Sequence, residues 1–261
     1  MKIFRLLSIL ILFISCNESD NKGDTTEFPV LTNIKTVKKI KTDSLITRSS
    51  SSILYIGYLK DTIELNYELV DFPFNPPPPP PPPPENGKVQ EIDTIELRKI
   101  FNTYNEKFKS NPVYPFYSGW EESRKFKSWN ETNINIEVDT NTIIKQLVID
   151  KYFRKEYYKA YPVFIKNQEN DTINIGYDRF IPIIVEAKDS TNKWKPIEKM
   201  YSFMCGNGIN SLILPPNNII ISSKVIYQGD YNTELRIKLG DNYSNKFKGS
   251  INYSQFQDSR Y

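Results

Sequence analysis

The chain contains no histidine. That absence removes Ser-His-Asp and Cys-His catalysis, both of which need an imidazole base. Cysteine is almost as scarce, with Cys16 and Cys205 alone, so the common zinc sites built from histidine or several cysteines are excluded too. Glycine is sparse, and neither a Gly-rich phosphate loop nor a Gly-x-Ser-x-Gly elbow is present. No apolar run approaches the roughly 20 residues that a finished membrane-spanning helix needs. The formal charge is only +3, which calls for no nucleic acid partner. Carboxylate-only chemistry, as in glycoside hydrolysis, survives because 31 Asp and Glu are present, but no spacing marks out a pair. No catalytic residue, metal site or cofactor is therefore assigned.

What is present begins at the N-terminus. Lys2 and Arg5 precede an apolar run over residues 6–14, and Ser15 and Cys16 close it before the chain turns polar. This is the plan of an export signal. A small residue followed by cysteine at the end of such a run resembles the bacterial lipobox, although Phe13 stands where leucine is usual and the nearest leucine is Leu12. The resemblance implies cleavage before Cys16 and lipidation of that cysteine, anchoring the mature chain to a membrane. Asn17, rather than Asp, follows the cysteine, which by resemblance to enterobacterial sorting points to the outer membrane. Glu18 and Asp20 loosely resemble a surface-export signal, so both periplasmic and surface-exposed placements stay open. Removing Lys2 and Arg5 leaves 32 basic against 31 acidic residues, and Cys205 as a sole free thiol rules out an internal disulfide.

Residues 16–52 read as an acylated tether and lead-in: polar at first, without apolar periodicity, and ending in a serine run at 49–52. Residues 53–75 read as a β-hairpin. Ile63, Leu65, Tyr67 and Leu69 alternate with polar neighbours, and Lys60 and Asp61 supply the turn. Nine consecutive prolines at 76–84 have no amide N–H and a fixed φ, so they form a polyproline II rod of roughly 28 Å. With its flank to residue 87 this is a spacer or a loop insertion, or alternatively a docking site for an aromatic groove. Residues 88–132 combine a helical pattern, with Ile95, Ile100, Tyr104 and Phe108 on one face, and an irregular aromatic stretch containing Trp120 and Trp129.

From 133 to 261 short apolar runs alternate with turn signals every eight to twelve residues. The expected strands cover 134–138, 161–166, 172–177, 180–187, 194–204, 211–214, 219–227, 234–239 and 247–252, while 143–158 is ambiguous and fits a short helix. This pattern predicts a mainly β fold, an antiparallel β-sandwich of Ig-like type with a small helical and irregular aromatic segment.

Three motifs stand out. Cys205, Gly206, Asn207 and Gly208 form a tight turn that fits either an exposed thiol or a cysteine closing a buried strand. Trp120, Trp129 and Trp194 are candidates for glycan contact, weighed against filling the core. The third is Asp followed by Ser or Thr and then an aliphatic residue or Thr. It occurs at Asp24, Asp43, Asp61, Asp93, Asp171 and Asp189, where chance gives roughly one. It resembles the O-glycosylation sequon of Bacteroidota envelope proteins. An Asx-turn opening a strand explains the sites at strand starts, which leaves Thr25 and Ser44 as the expected glycosylation sites.

The lipobox, the segment 194–198, the turn at Cys205 and the run 229–236 together resemble uncharacterised cell-envelope lipoproteins of Bacteroidota. The resemblance covers the signal and about the last hundred residues, and no known activity comes with it. The expected function is a non-catalytic binding or adaptor module with an envelope protein partner. The alternatives are glycan binding and, third, a carboxylate-dependent hydrolase.

Overall fold

The computed structural model describes residues 28–34, 53–67, 112–149, 155–177, 180–199 and 210–258, with isolated helical positions between 98 and 110. Sixteen strands run through these segments. The first five are β1 (Val30–Thr32), β2 (Tyr55–Tyr58), β3 (Thr62–Glu64), β4 (Tyr117–Ser118) and β5 (Lys127–Ser128). Then follow β6 (Ile134–Val138), β7 (Ile144–Ile149), β8 (Lys155–Asn167), β9 (Ile173–Tyr177), β10 (Ile184–Lys188) and β11 (Trp194–Pro196). The last five are β12 (Ser211–Leu214), β13 (Asn218–Val225), β14 (Tyr231–Leu239), β15 (Asn242–Tyr243) and β16 (Phe247–Ile251). The fold is mainly β and sandwich-like, as the turn spacing implies.

The central sheet has the order β2-β13-β8-β6, with β7 also on β8. It is buried on both faces. Ile220 of β13 and Val163 and Ile165 of β8 enter the main core, whereas Ile219, Ile221 and Phe164 enter a second core with Leu54, Ile63 and Leu65. Successive side chains of a strand point to opposite faces, so an unbroken apolar run such as Ile219-Ile220-Ile221 fits a strand covered on both sides. A second sheet, β11-β10-β14-β15 with β16 on β14, packs its apolar side into the main core through Val185, Ala187, Leu235, Ile237 and Leu239. A smaller sheet, β4-β12-β9-β5, adds Ile173, Ile175, Leu212 and Leu214. On the far side of the central sheet, β1 and β3 pair in parallel, with Leu31 packed against the second core.

Two sequence expectations change. Residues 144–149 form β7 and not a helix, because Ile144 is buried in the second core while the strand pairs with β8 from Ala160 to Lys155. Over its described residues, 53–67, the segment expected as a hairpin at 53–75 shows no ladder between β2 and β3. Leu54 accepts a hydrogen bond from the Asn66 amide at 2.9 Å, but β2 pairs with β13 and β3 pairs with β1. Alternation marks which face of a strand is buried and leaves its partner undetermined, and the apolar edge of β13 takes β2. At the helical positions Arg98, Lys99, Asn102, Thr103, Glu106 and Lys109 are all exposed, the polar face of the expected amphipathic helix. The proline tract and the four residues expected on the apolar face lie outside the described residues.

Side-chain amides join the two large sheets. The Asn242 amide donates to the carbonyls of Trp129 and Thr132 at 3.2 and 3.0 Å, while its oxygen accepts from the Ile134 amide at 3.1 Å. Asn245 engages Val138 through both its amide and its carbonyl. The outer edge of β6 is thereby occupied by side chains and closed to a further strand.

Candidate functional site

The outward face of the second sheet carries the densest set of recognition-type side chains. Leu235, Ile237 and Leu239 point into the core, so Glu234, Arg236 and Lys238 point out. Register then sets neighbours. Glu186 of β10 lies opposite Arg236, Trp194 of β11 opposite Lys188, and Tyr243 of β15 opposite Lys238. The Arg236 guanidinium donates to Glu186 through Nε at 2.8 Å and through its second nitrogen at 2.6 Å. Its carbon lies 4.3 Å from the centre of the Trp194 ring and 3.8 Å from that of Tyr243. The Lys188 ammonium sits 5.3 Å from the Trp194 ring and pairs with Glu234. Lys238 lies 5.7 Å from the Tyr243 ring.

Cations over ring faces are held by the aromatic quadrupole, and a desolvated contact of this kind contributes more than an exposed one. The outcome is a rigid row of Lys188, Trp194, Arg236, Tyr243 and Lys238 on paired strands, with Tyr243 43% exposed. Lys188, with Lys246 and Lys248 nearby, holds the Glu234 carboxyl below its ordinary range. At the end of β10, Asp189 is held lower still by Lys195, whose ammonium is 2.7 Å away, and by bonds from Thr191 and Lys193.

A second constellation is buried. Glu198 accepts hydrogen bonds from the Lys224 ammonium at 2.8 Å, from the Val185 amide at 3.1 Å and from the Tyr227 hydroxyl. Desolvation pushes the Lys224 ammonium below its ordinary value, and the Glu198 charge opposes that shift. The adjacent cavity, lined by Val138, Tyr161, Lys224 and Tyr227 among others, measures about 20 Å³. That volume holds about one water and no substrate, so the geometry makes this trio a structural core. Lys145 is buried near the rings of Tyr67 and Tyr157, 4.6 Å from each centre. Burial raises the Tyr67 hydroxyl to about 12, which keeps it neutral and unsuited to act as a base.

The sequence-derived candidates separate. Trp194 lies in the outward row, with Arg236 and Lys188 over its ring. Trp129 packs against the main core, its ring edge-on to Tyr177 at 5.5 Å. The structure does not gather these two tryptophans on one face. Trp120 opens a one-turn helix, Trp120–Ser123, and its side chain lies outside the described residues, as do Cys16, Thr25, Ser44 and Cys205. Among the Asp-Ser/Thr sites, Thr62 and Ser190 are exposed, yet both belong to local structure. The Asp61 carbonyl accepts from the Val30 amide, and Asp189 folds its own turn through three bonds from Thr191 and Lys193.

Sequence reading missed Arg236, Tyr243 and Lys224. The alternation Glu234-Leu235-Arg236-Ile237-Lys238 carried the signal for the first. A lone lysine in the apolar run 219–227 carried it for the third, since a buried charge must be paired. Tyr243 had none, because its ring reaches Arg236 only through the β14–β15 register. Among the described residues no three acidic or cysteine side chains gather into a metal site. Compared with protein-family models, curated proteins and solved structures, the chain matches none, so its functional assignment rests on its own residues.

Proposed function

We propose that this protein is a membrane-anchored envelope lipoprotein, lipidated at Cys16, that acts as a non-catalytic binding or adaptor module. Its recognition surface is the outward face of β10, β11, β14 and β15. The observation that carries this reading is the Arg236 guanidinium lying against the rings of Trp194 and Tyr243 on paired strands. Tryptophan, tyrosine and arginine are the residues that dominate protein–protein binding energy. The same observation favours a protein partner over a sugar. A sugar stacks on a free ring face, whereas Trp194 already carries Arg236 and Lys188, and Tyr243 already carries Arg236. Glycan binding is the second reading and rests on the exposed part of Tyr243.

The test is crosslinking in intact cells, affinity recovery of the tagged protein and mass spectrometry, run in parallel on Arg236→Ala. A stoichiometric protein partner recovered with the wild type, and weakened by about 2 kcal/mol (roughly thirtyfold) in the variant, supports the adaptor. Recovery of the protein alone removes the adaptor reading. A glycan that shifts tryptophan emission in the wild type and not in Tyr243→Ala supports the second reading instead.

A further inference from the structure

Among the described residues, exposed large apolar side chains occur at Ile143, Tyr243 and Tyr253 and also in one group near the β2–β3 connection. Tyr58 is 69%, Val30 64% and Leu59 46% exposed. Val30 comes to the same end of the domain as Tyr58 and Leu59, because its amide donates to the Asp61 carbonyl at 2.8 Å, two residues after Leu59, and β1 runs alongside β3 from Val30 opposite Thr62. Tyr58 ends β2, and Leu59, Lys60 and Asp61, all exposed, connect it to β3. The tip thus presents two aliphatic side chains, an amphipathic ring and a balanced charge pair.

We infer that this tip is a second membrane contact, seated in the interfacial layer of the bilayer that holds the lipid of Cys16. This rests on the lipid-anchor reading above. The first described stretch of the chain, from Phe28, runs close to the tip. Phe28, stacked on Phe164 with ring centres 4.8 Å apart, stands two residues before Val30. Twelve residue steps separate Cys16 from Phe28, a reach of at most about 43 Å. A tether that leaves the domain beside an apolar patch keeps that patch near the bilayer at high effective concentration. Tyrosine favours the membrane–water interface, and Lys60 has a stem long enough to lie along apolar surface with its charge in water. Because Lys60 and Asp61 offset each other, the contact depends on apolar burial and not on lipid charge.

Orientation follows. β1 and β3 cover the second core, whereas the sheet bearing Arg236 covers the main core on the other side of the central sheet. A domain resting on the tip side therefore turns the Trp194–Arg236–Tyr243 row away from the membrane.

The test uses the full acylated protein on vesicles of phosphatidylethanolamine and phosphatidylglycerol with brominated chains. Tryptophan is introduced by Leu59→Trp or, as a control on the opposite layer, by Thr191→Trp. The expected result is a blue shift and loss of most of the added emission in Leu59→Trp, unchanged at high salt, with no quenching in Thr191→Trp. Equal, unquenched emission from both variants, with lipid on Cys16 confirmed by intact mass, overturns the membrane contact and leaves the anchor standing. An unmodified Cys16 overturns both. Self-association in detergent that is abolished by Tyr58→Ser with Leu59→Ser reassigns the patch to a second copy of the chain and overturns the inference.

Discussion

The Lys224 ammonium stands 2.8 Å from a carboxylate oxygen of Glu198, and both side chains are 3% exposed. They come from β13 and from the residue that follows β11 by two positions, so this ion pair ties the central sheet to the second sheet inside the main core. Tyr227 and Val185 complete the acceptor sites of Glu198, which compensates part of the cost of burying a charge.

Removing one partner leaves the other charged and unpaired. Lys224→Met is expected to lower stability by about 3–5 kcal/mol. Adding Glu198→Gln should recover most of that loss, because glutamine keeps an acceptor for Tyr227 without the charge. Urea midpoints with an unchanged slope measure both values. A single variant within about 0.5 kcal/mol of wild type contradicts the buried pair.

The acid limb of stability is assigned to Asp189. Its carboxyl is held far below the ordinary range, first by Lys195, then by Thr191 and Lys193. A carboxylate with a depressed folded-state value contributes stability above its unfolded value, about pH 4, and that contribution is lost as pH falls toward the folded value. The effect is moderated because the partner Lys195 side chain is half exposed and solvent screens the pair. Asp189→Asn should therefore lower the thermal midpoint at neutral pH, and its curve should converge on the wild-type curve as pH drops below about 4. A gap that stays constant from neutral to acid pH assigns the loss to hydrogen bonding alone.

Glycosylation is expected at Thr25 and Ser44, not at Thr62 or Ser190, whose preceding aspartates take part in strand pairing and a turn. Intact mass of the native protein should exceed that of the bare acylated polypeptide. Thr25→Ala should remove one increment and Thr62→Ala none. A native mass equal to the acylated polypeptide ends the idea.

The sequence by itself determined the mainly β character and most of the longer strands, because alternation and unbroken apolar runs report directly on burial. Ile134, Ile136 and Val138 alternate and sit in the main core, and the run at Ile219 is covered on both faces. It determined the exclusions that follow from lacking histidine, and the polar face of the helix near Glu106. It left residues 144–149 ambiguous because a short apolar run fits either period, and contact with β8 resolves it.

Only the tertiary structure decided which strands are neighbours. Pairing of β2 with β13, the bond from the Val30 amide to the Asp61 carbonyl, and the stacking of Arg236 on Trp194 all join residues distant in sequence. Alternation encodes a face and carries no information about the strand across from it. Register between strands is set by total burial in the assembled core, which no local window contains.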